Sequence, residues 1–393
     1  RAAKIIGMPL TQAQCADALR GLGLGVSEGE GVLQVQAPSY RFDIQIEEDL
    51  IEEIARVVGY DHLPHTPPQA PITAKIRPEA KRGAFAVRRL LAQLGYQETI
   101  NFSFVQAAWE RDYAGNADPI KLLNPIASQL SVMRSSLLGS LLQVLKYNTD
   151  RKAERVRVFE LGRVFRKDPN VVDSDTTVAG FDQPMRVAGL AFGGVAPLHW
   201  EGNRTVDFFD VKADVQALLA PAALTFVPTQ HPALHPGRSA EVLLDGRSIG
   251  VMGELHPKWR QAEGLSSAPV LFELDLPAVL ARRVPVAQAV SRQQPVQRDV
   301  AVVVKEAITH DALMAAVNTA STQWVTERVL FDIYRPKKQA DGSVSGGLAA
   351  DEKSLALRLT LERNDAGLTD ADIEADVQAV LAQLSQAVGA RLR

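Results

Sequence analysis

Apolar residues recur along this chain at both helical and strand spacing, and the two periods alternate from segment to segment. Between Glu47 and Val58 they fall three or four positions apart, which predicts a short amphipathic helix. Upstream, Thr11 and Gln14 have the spacing of a capping box at the start of another helix. These elements predict a first small unit over residues 1–68, which ends in a Pro-rich linker.

A second and larger unit is predicted over residues 77–290. A helical period indicates a first helix over 78–94, and alternation indicates a strand over 100–104. Further on, Asp245-Gly246 separates two alternating runs and predicts a β-hairpin. Many strands, hairpin links and few helices favour an antiparallel α+β domain.

A third unit is predicted over residues 296–393. Its periods follow the order β-α-β-β-α-β, with a long helix from Thr369, and this order is the ferredoxin-like split βαβ. The chain is therefore predicted to be a multidomain α+β protein. Residues 168–184 lack periodicity and predict a mobile loop.

Composition narrows the class of protein. The 393 residues are 46% hydrophobic and 23% charged, with a net charge of −3, which is ordinary for two to four globular domains. The single cysteine, Cys15, excludes a disulfide framework and fits a reducing cytosol, so we expect a cytoplasmic protein. We expect no membrane association, because no apolar run reaches membrane-spanning length.

Four acidic residues gather around the helix predicted at 47–58. Asp49, Glu52 and Glu53 share one helix face, and Asp43 lies just upstream. Oxygen ligands suit a hard cation such as Mg²⁺. Acidic residues in a first helical turn also favour the helix dipole and are often a solvated surface, and spacing alone leaves both interpretations open.

The third unit carries 11 Lys and Arg against 14 Asp and Glu, which disfavours a broad phosphate-binding surface. Positive charge is instead local, and an aromatic residue beside it could stack on an unpaired base. The alternative interpretation is that these charges only belong to solvated loops and that the tyrosine is partly buried in the core. The candidate RNA-binding residues are Tyr334, Arg335, Lys337, Lys338, Lys353 and Arg358.

The segment PSYRFDIQIEEDLIEEIARVVGYDHLP, which contains the acidic helix, resembles the signature of the B5 domain of bacterial phenylalanyl-tRNA synthetase β subunits. The resemblance implies that carboxylates at the positions of Asp43, Asp49, Glu52 and Glu53 bind Mg²⁺ in a site shared with the α subunit.

The middle segments LLNPIASQLSVMRSSLLGSLL, RVFELGRVF and GVMGELHP resemble the class II synthetase-like module of the same β subunits. The resemblance implies a degenerate copy of the catalytic fold. The arginine after the Phe of an fRxE-like strand is missing, and so is a GxGxGxxR element. We therefore expect no catalytic residue in this chain, and expect Arg134, Glu160 and Arg163 to be structural or interfacial.

The segments VLFDIYRPKK and KSLALRLTLERNDAGLTDADI resemble the ferredoxin-fold anticodon-binding domain that ends these β subunits. The resemblance implies that the sheet face meets the anticodon end of the tRNA. One departure is the Gly- and Ser-rich loop at 339–351, which is longer than the family pattern.

Taken together, the resemblances imply the C-terminal part of a β subunit in a phenylalanine–tRNA ligase of α₂β₂ assembly. Such an enzyme joins phenylalanine to its tRNA with ATP and Mg²⁺, and the chemistry belongs to the α subunit. The chain begins with Arg1, which favours a fragment. A non-enzymatic RNA- or protein-binding paralogue is the alternative. An autonomous Mg²⁺-dependent phosphotransferase is disfavoured, because no P-loop accompanies the carboxylates.

Overall fold

The computed structural model of the chain describes residues 1–74, 76, 78–202, 204–287, 290–336 and 348–393. The chain divides into two units, Arg1–Pro78 and Glu79–Arg393. Within the described ranges, no helix is long and apolar enough to cross a membrane.

The first unit packs three helices against a small antiparallel sheet, and its core includes the buried Cys15. The capping box of Thr11 and Gln14 is confirmed, as is the predicted helix at 47–58. Its elements are α1 (Ala2–Ile6), α2 (Gln12–Gly21), β1 (Gly25–Glu28), β2 (Leu33–Gln36) and α3 (Glu47–Val58).

The second unit begins with a large mixed module. Its helices are α4 (Ala84–Gln93), α5 (Ala107–Trp109), α6 (Leu138–Thr149), α7 (Phe208–Leu219), α8 (Pro257–Ala262) and α9 (Leu276–Leu280). Its strands are β3 (Gln97–Glu98), β4 (Phe104–Val105), β5 (Val132–Met133), β6 (Val156–Arg163), β7 (Arg166–Lys167), β8 (Phe181–Asp182), β9 (Met185–Phe192), β10 (Leu224–Pro228), β11 (Leu234–Leu244), β12 (Arg247–Leu255) and β13 (Val270–Asp275).

Among the described residues, seven of these strands form one sheet in the order β10-β11-β12-β13-β9-β6-β3. Every neighbouring pair is antiparallel except β3 with β6. Both faces are covered, by α4, α7 and α9 on one side and by α6 on the other. Alternating side chains of each central strand therefore enter two separate cores.

Several local predictions for this module need correction. The helix predicted at 78–94 begins only at Ala84, because Lys81 forms a β-bridge with Ala281 and is therefore not available to the helix. The strand predicted at 100–104 is wrong, since β-structure begins at Phe104. The loop at 168–184 is not without structure, because it ends in β8, which pairs with β7.

The predicted hairpin is confirmed. Asp245 and Gly246 join β11 to β12 with φ values of 51° and 76°. Left-handed φ at both positions is the geometry of a type I′ turn, which glycine and aspartate adopt readily.

The C-terminal part of the second unit confirms the ferredoxin-like fold. In the described part of this segment, four antiparallel strands are ordered β15-β16-β14-β17, and both helices pack on one sheet face. The elements are β14 (Val296–Lys305), α10 (His310–Asn318), β15 (Val325–Tyr334), β16 (Glu352–Leu361), α11 (Asp370–Val388) and β17 (Arg391–Leu392).

A buried ion pair lies at the entry to α6. Arg134 Nη2 is 2.7 Å from Glu160 Oε1 on β6, and both side chains are less than 5% exposed. Asn101 Nδ2 donates to the second Glu160 oxygen at 2.8 Å, and Arg134 Nε donates to the Arg163 carbonyl at 3.1 Å. The pair is thus surrounded by further hydrogen bonds, as a buried charge requires.

The next two residues are anchored in the same way. The backbone N–H of Ser135 donates to Glu110, and its hydroxyl donates to the same carboxylate. The Ser136 hydroxyl donates to Glu273 Oε2 on β13 at 3.0 Å. Burial raises the pKa of Glu273. Three consecutive residues therefore each contact a different buried carboxylate, and we call this arrangement the triple anchor.

We expect the Glu160→Ala variant to lose about 3–5 kcal/mol of stability, because it leaves Arg134 buried without a counter-ion. The measurement is urea unfolding followed by tryptophan fluorescence. Asp118→Ala, which removes an exposed partner of Lys167, is the control and should cost less than about 1 kcal/mol.

Replacing both partners with apolar residues, as in Arg134→Met/Glu160→Leu, should restore most of that loss. If Glu160→Ala unfolds at the same urea concentration as the control, the ion pair does not hold this part of the core.

Candidate functional site

The predicted metal-binding residues lie around the start of α3. Asp49 is the third residue of the helix, and its Oδ2 accepts hydrogen bonds from the backbone N–H groups of Gln45 and Ile46 at 2.7 and 2.9 Å. These two bonds lower the pKa of Asp49. The carboxylate therefore fixes the loop that leads into the helix, as side chains near a helix N-terminus commonly do.

Arg41 links two of the other predicted ligands. Its guanidinium donates to Asp43 at 2.7 Å and lies 3.3 Å from Glu53 Oε1. Arg56 also contacts Glu53, at 2.6 Å. The pKa of Asp43 is lowered by Arg41, and the pKa of Glu53 is lowered first by Arg56 and then by Arg41. Both carboxylates are therefore held in their charged form by arginines.

Glu52, the fourth predicted ligand, is exposed on α3. Across the ranges that the structure describes, no three or more His, Cys, Asp or Glu side chains are grouped as a metal site. The structure brings Asp43 and Glu53 together through the guanidinium of Arg41, which contacts both carboxylates. Sequence reasoning missed Arg41, although it stands only two residues before Asp43.

Four of the predicted RNA-binding residues are described by the structure, and they lie on or beside β15 and β16. Arg358 forms two bonds of 2.7 Å with Asp299 on β14, and Arg335 Nε lies 2.9 Å from Glu306. Lys353 is only 7% exposed, and its Nζ donates to the Glu306 carbonyl at 2.8 Å. Lys353 is therefore turned into the protein.

Lys337 and Lys338 lie outside the described residues. The ring of Tyr334 lies under Arg393, whose Cζ is 5.0 Å from the ring centroid. A comparable contact was missed by sequence reasoning. Arg358 Cζ lies 5.1 Å from the centroid of Phe331, which is 50% exposed.

Comparison with known families accounts for nearly the whole chain. Residues 63–276 match the family described as phenylalanyl tRNA synthetase beta chain CLM domain. Residues 1–60 match the tRNA synthetase B5 domain, and residues 291–393 match the ferredoxin-fold anticodon binding domain. The chain is thus built from aminoacyl-tRNA synthetase modules. Because the first match covers more than half of it, the chain belongs to the phenylalanyl-tRNA synthetase beta chain family.

Curated relatives agree with this assignment. The phenylalanine–tRNA ligase beta subunit of Ralstonia nicotianae is 47% identical over 399 residues, which is all of this chain and 49% of the relative. Those of Burkholderia pseudomallei and Chromobacterium violaceum are 46% and 48% identical, again over the whole chain and about half of the relative. The chain spans about half the length of the curated relatives it matches.

The role of Asp49 as a helix cap can be separated from any role as a metal ligand. Without added metal, Asp49→Ala should speed hydrogen exchange at the amides of Gln45 and Ile46 several-fold, because these two backbone donors lose their acceptor. The measurement is hydrogen–deuterium exchange of overlapping peptides that begin upstream of residue 43 and cover the start of α3.

Glu52→Ala, which removes an exposed carboxylate from the same helix, is the matched control and should leave that exchange unchanged. Equal exchange in both variants would contradict the capping role.

Proposed function

We propose that this chain is part of the β subunit of a phenylalanine–tRNA ligase, the enzyme that attaches phenylalanine to its tRNA using ATP. The observation that carries the proposal is the succession of three matched families along one chain, together with 46–48% identity to named β subunits over its full length. We further propose that the enzyme acts in the cytoplasm, where translation uses its product.

In this proposal the chain supplies binding surfaces, and an α subunit in an α₂β₂ assembly carries the adenylate chemistry. The three proposed domains are 1–68, 77–290 and 296–393. At the entry to α6, Arg134 is engaged by Glu160 inside the core, so it is not available to hold a nucleotide phosphate. This contact supports the division of labour between the subunits.

The anticodon end of the tRNA is proposed to bind the outer face of the ferredoxin-like sheet, opposite its helices. Arg335 lies at the end of β15, and Arg358 lies on this face. Both are paired with carboxylates that an incoming phosphate or base would have to replace or accompany. Tyr334, Lys337, Lys338 and Lys353 remain proposed contacts; Lys353 would have to move to reach RNA.

We also propose a Mg²⁺ site that the α subunit completes, with donors from Asp43, Asp49, Glu52 and Glu53. Their oxygens suit Mg²⁺, which uses few protein ligands and keeps several waters. The fit is incomplete in this chain alone, because Arg41 holds Asp43 and contacts Glu53. A cation and the guanidinium compete for the same oxygens, so Arg41 must leave Asp43 for the metal to bind.

The proposed function predicts that the chain, mixed with the matching α subunit and phenylalanine tRNA, forms a complex that charges the tRNA. Size-exclusion chromatography measures assembly, and incorporation of labelled phenylalanine measures charging. A version lacking residues 296–393 should charge poorly yet still support adenylate formation, measured by ATP–pyrophosphate exchange.

Equal loss of charging and exchange would argue against tRNA docking by the third domain. If neither this chain nor a longer β chain assembled with α, the ligase proposal would fail. RNA binding without assembly would instead favour the adaptor paralogue.

The competition at Arg41 gives a test of the metal proposal. In the complex with α, Arg41→Ala should tighten binding of Mn²⁺, used as a paramagnetic probe for Mg²⁺, because a competing cation is removed. Asp49→Ala/Glu53→Ala should weaken it. The number of bound ions and their affinity are read by electron paramagnetic resonance.

Glu47→Gln/Glu48→Gln is the matched control, since both residues lie in the first turn of α3 but contact Arg1. Unchanged metal content in Asp49→Ala/Glu53→Ala would contradict the proposed Mg²⁺ site.

A further inference from the structure

Phe331 occupies an unusual position in the ferredoxin-like sheet. Leu330 pairs with Leu357 of β16 and Asp332 pairs with Ala356, so Phe331 is the extra residue of a β-bulge. Its ring is half exposed, on the face opposite α10 and α11. Bulges commonly redirect a side chain next to a functional site.

The guanidinium of Arg358 lies over this ring and is fixed from a second direction. Its Cζ is 5.1 Å from the ring centroid, while Nε and Nη2 donate to the two oxygens of Asp299, each at 2.7 Å. Asp299, Arg358 and Val329 are directly opposite one another on three adjacent strands. The bidentate pair holds the planar group in one orientation, and the pKa of Asp299 is lowered by Arg358.

A ring and a guanidinium plane are the two side-chain groups on which unpaired bases stack. The charge of this face does not favour simple phosphate attraction. Arg358 is neutralised by Asp299, and Asp332 adds a further exposed carboxylate at the bulge. Stacking therefore suits this face better than attraction of phosphates does.

We propose that Phe331 and Arg358 form a stacking site for one unpaired base of the tRNA, and that Asp299 is the positioning residue that orients the guanidinium. This inference rests on the proposed function, because it assumes that the sheet face meets tRNA. It adds Phe331 and Asp299 to the candidate interface and assigns them different roles.

The test uses phenylalanine tRNA with 2-aminopurine placed at one anticodon-loop position at a time, bound to the chain in complex with α. In the wild type, fluorescence at one position should be quenched on binding. Phe331→Ala should abolish that quenching and weaken binding roughly ten-fold, with no change in the salt dependence, because the ring carries no charge.

Asp299→Asn gives the sharper result. It removes a negative charge from a surface that faces RNA, so electrostatics alone predicts tighter binding. If Asp299 orients Arg358, the variant should instead bind more weakly and quench less. Arg358→Lys, which keeps the charge but loses the planar fork, should behave in the same way.

Phe209→Ala, which removes an exposed ring from α7, is the matched control and should leave binding and quenching unchanged. Folding of each variant is checked by its melting temperature. Wild-type binding with unchanged quenching in Phe331→Ala would overturn the stacking site alone. Tighter binding by Asp299→Asn would overturn the positioning role. Absence of wild-type binding to tRNA would instead overturn the proposed function.

Discussion

The triple anchor at Arg134, Ser135 and Ser136 is the constraint on which the large module depends. Its three carboxylates come from β6, from β13 and from the short π-helix Glu110–Ala114 that follows α5, so one short segment joins two central strands and the entry to α6. Buried charges are costly unless every one is matched, so the loss of any one group leaves its own partner buried and unpaired. The module therefore has little freedom to rearrange around the entry to α6.

Elements with a strong local signal could be predicted from sequence. The helix at 47–58, the Asp245-Gly246 hairpin and the β-α-β-β-α-β order each follow from residue spacing or from turn chemistry within a few positions. The start of α4 could not be predicted, because Lys81 is held extended by a strand-like contact with Ala281, two hundred residues later. Long-range pairing of this kind overrides local helix propensity.

In the candidate sites, too, features with a local sequence signal could be predicted and features set by contacts between segments could not. The positions of the acidic residues around α3 were predictable, but their neutralisation by Arg41 was not, since it depends on how the loop before the helix folds back. On the ferredoxin-like sheet, Arg358 was found by its charge. Phe331 was not, because a regular alternation gives no signal for a bulge. In both places an arginine of the chain already pairs with a carboxylate, and that pairing depends on contacts between segments that local sequence patterns do not reveal.

The bulge at Phe331 also bears on how such a surface can arise or disappear. Pairing is intact on both sides of it, with Leu330 opposite Leu357 and Asp332 opposite Ala356. Removing one codon there would join two ladders that are already in register, so the buried leucines would keep their faces. An insertion or deletion of a single residue can thus add or remove an aromatic side chain on this face while the pairing on both sides of it is kept.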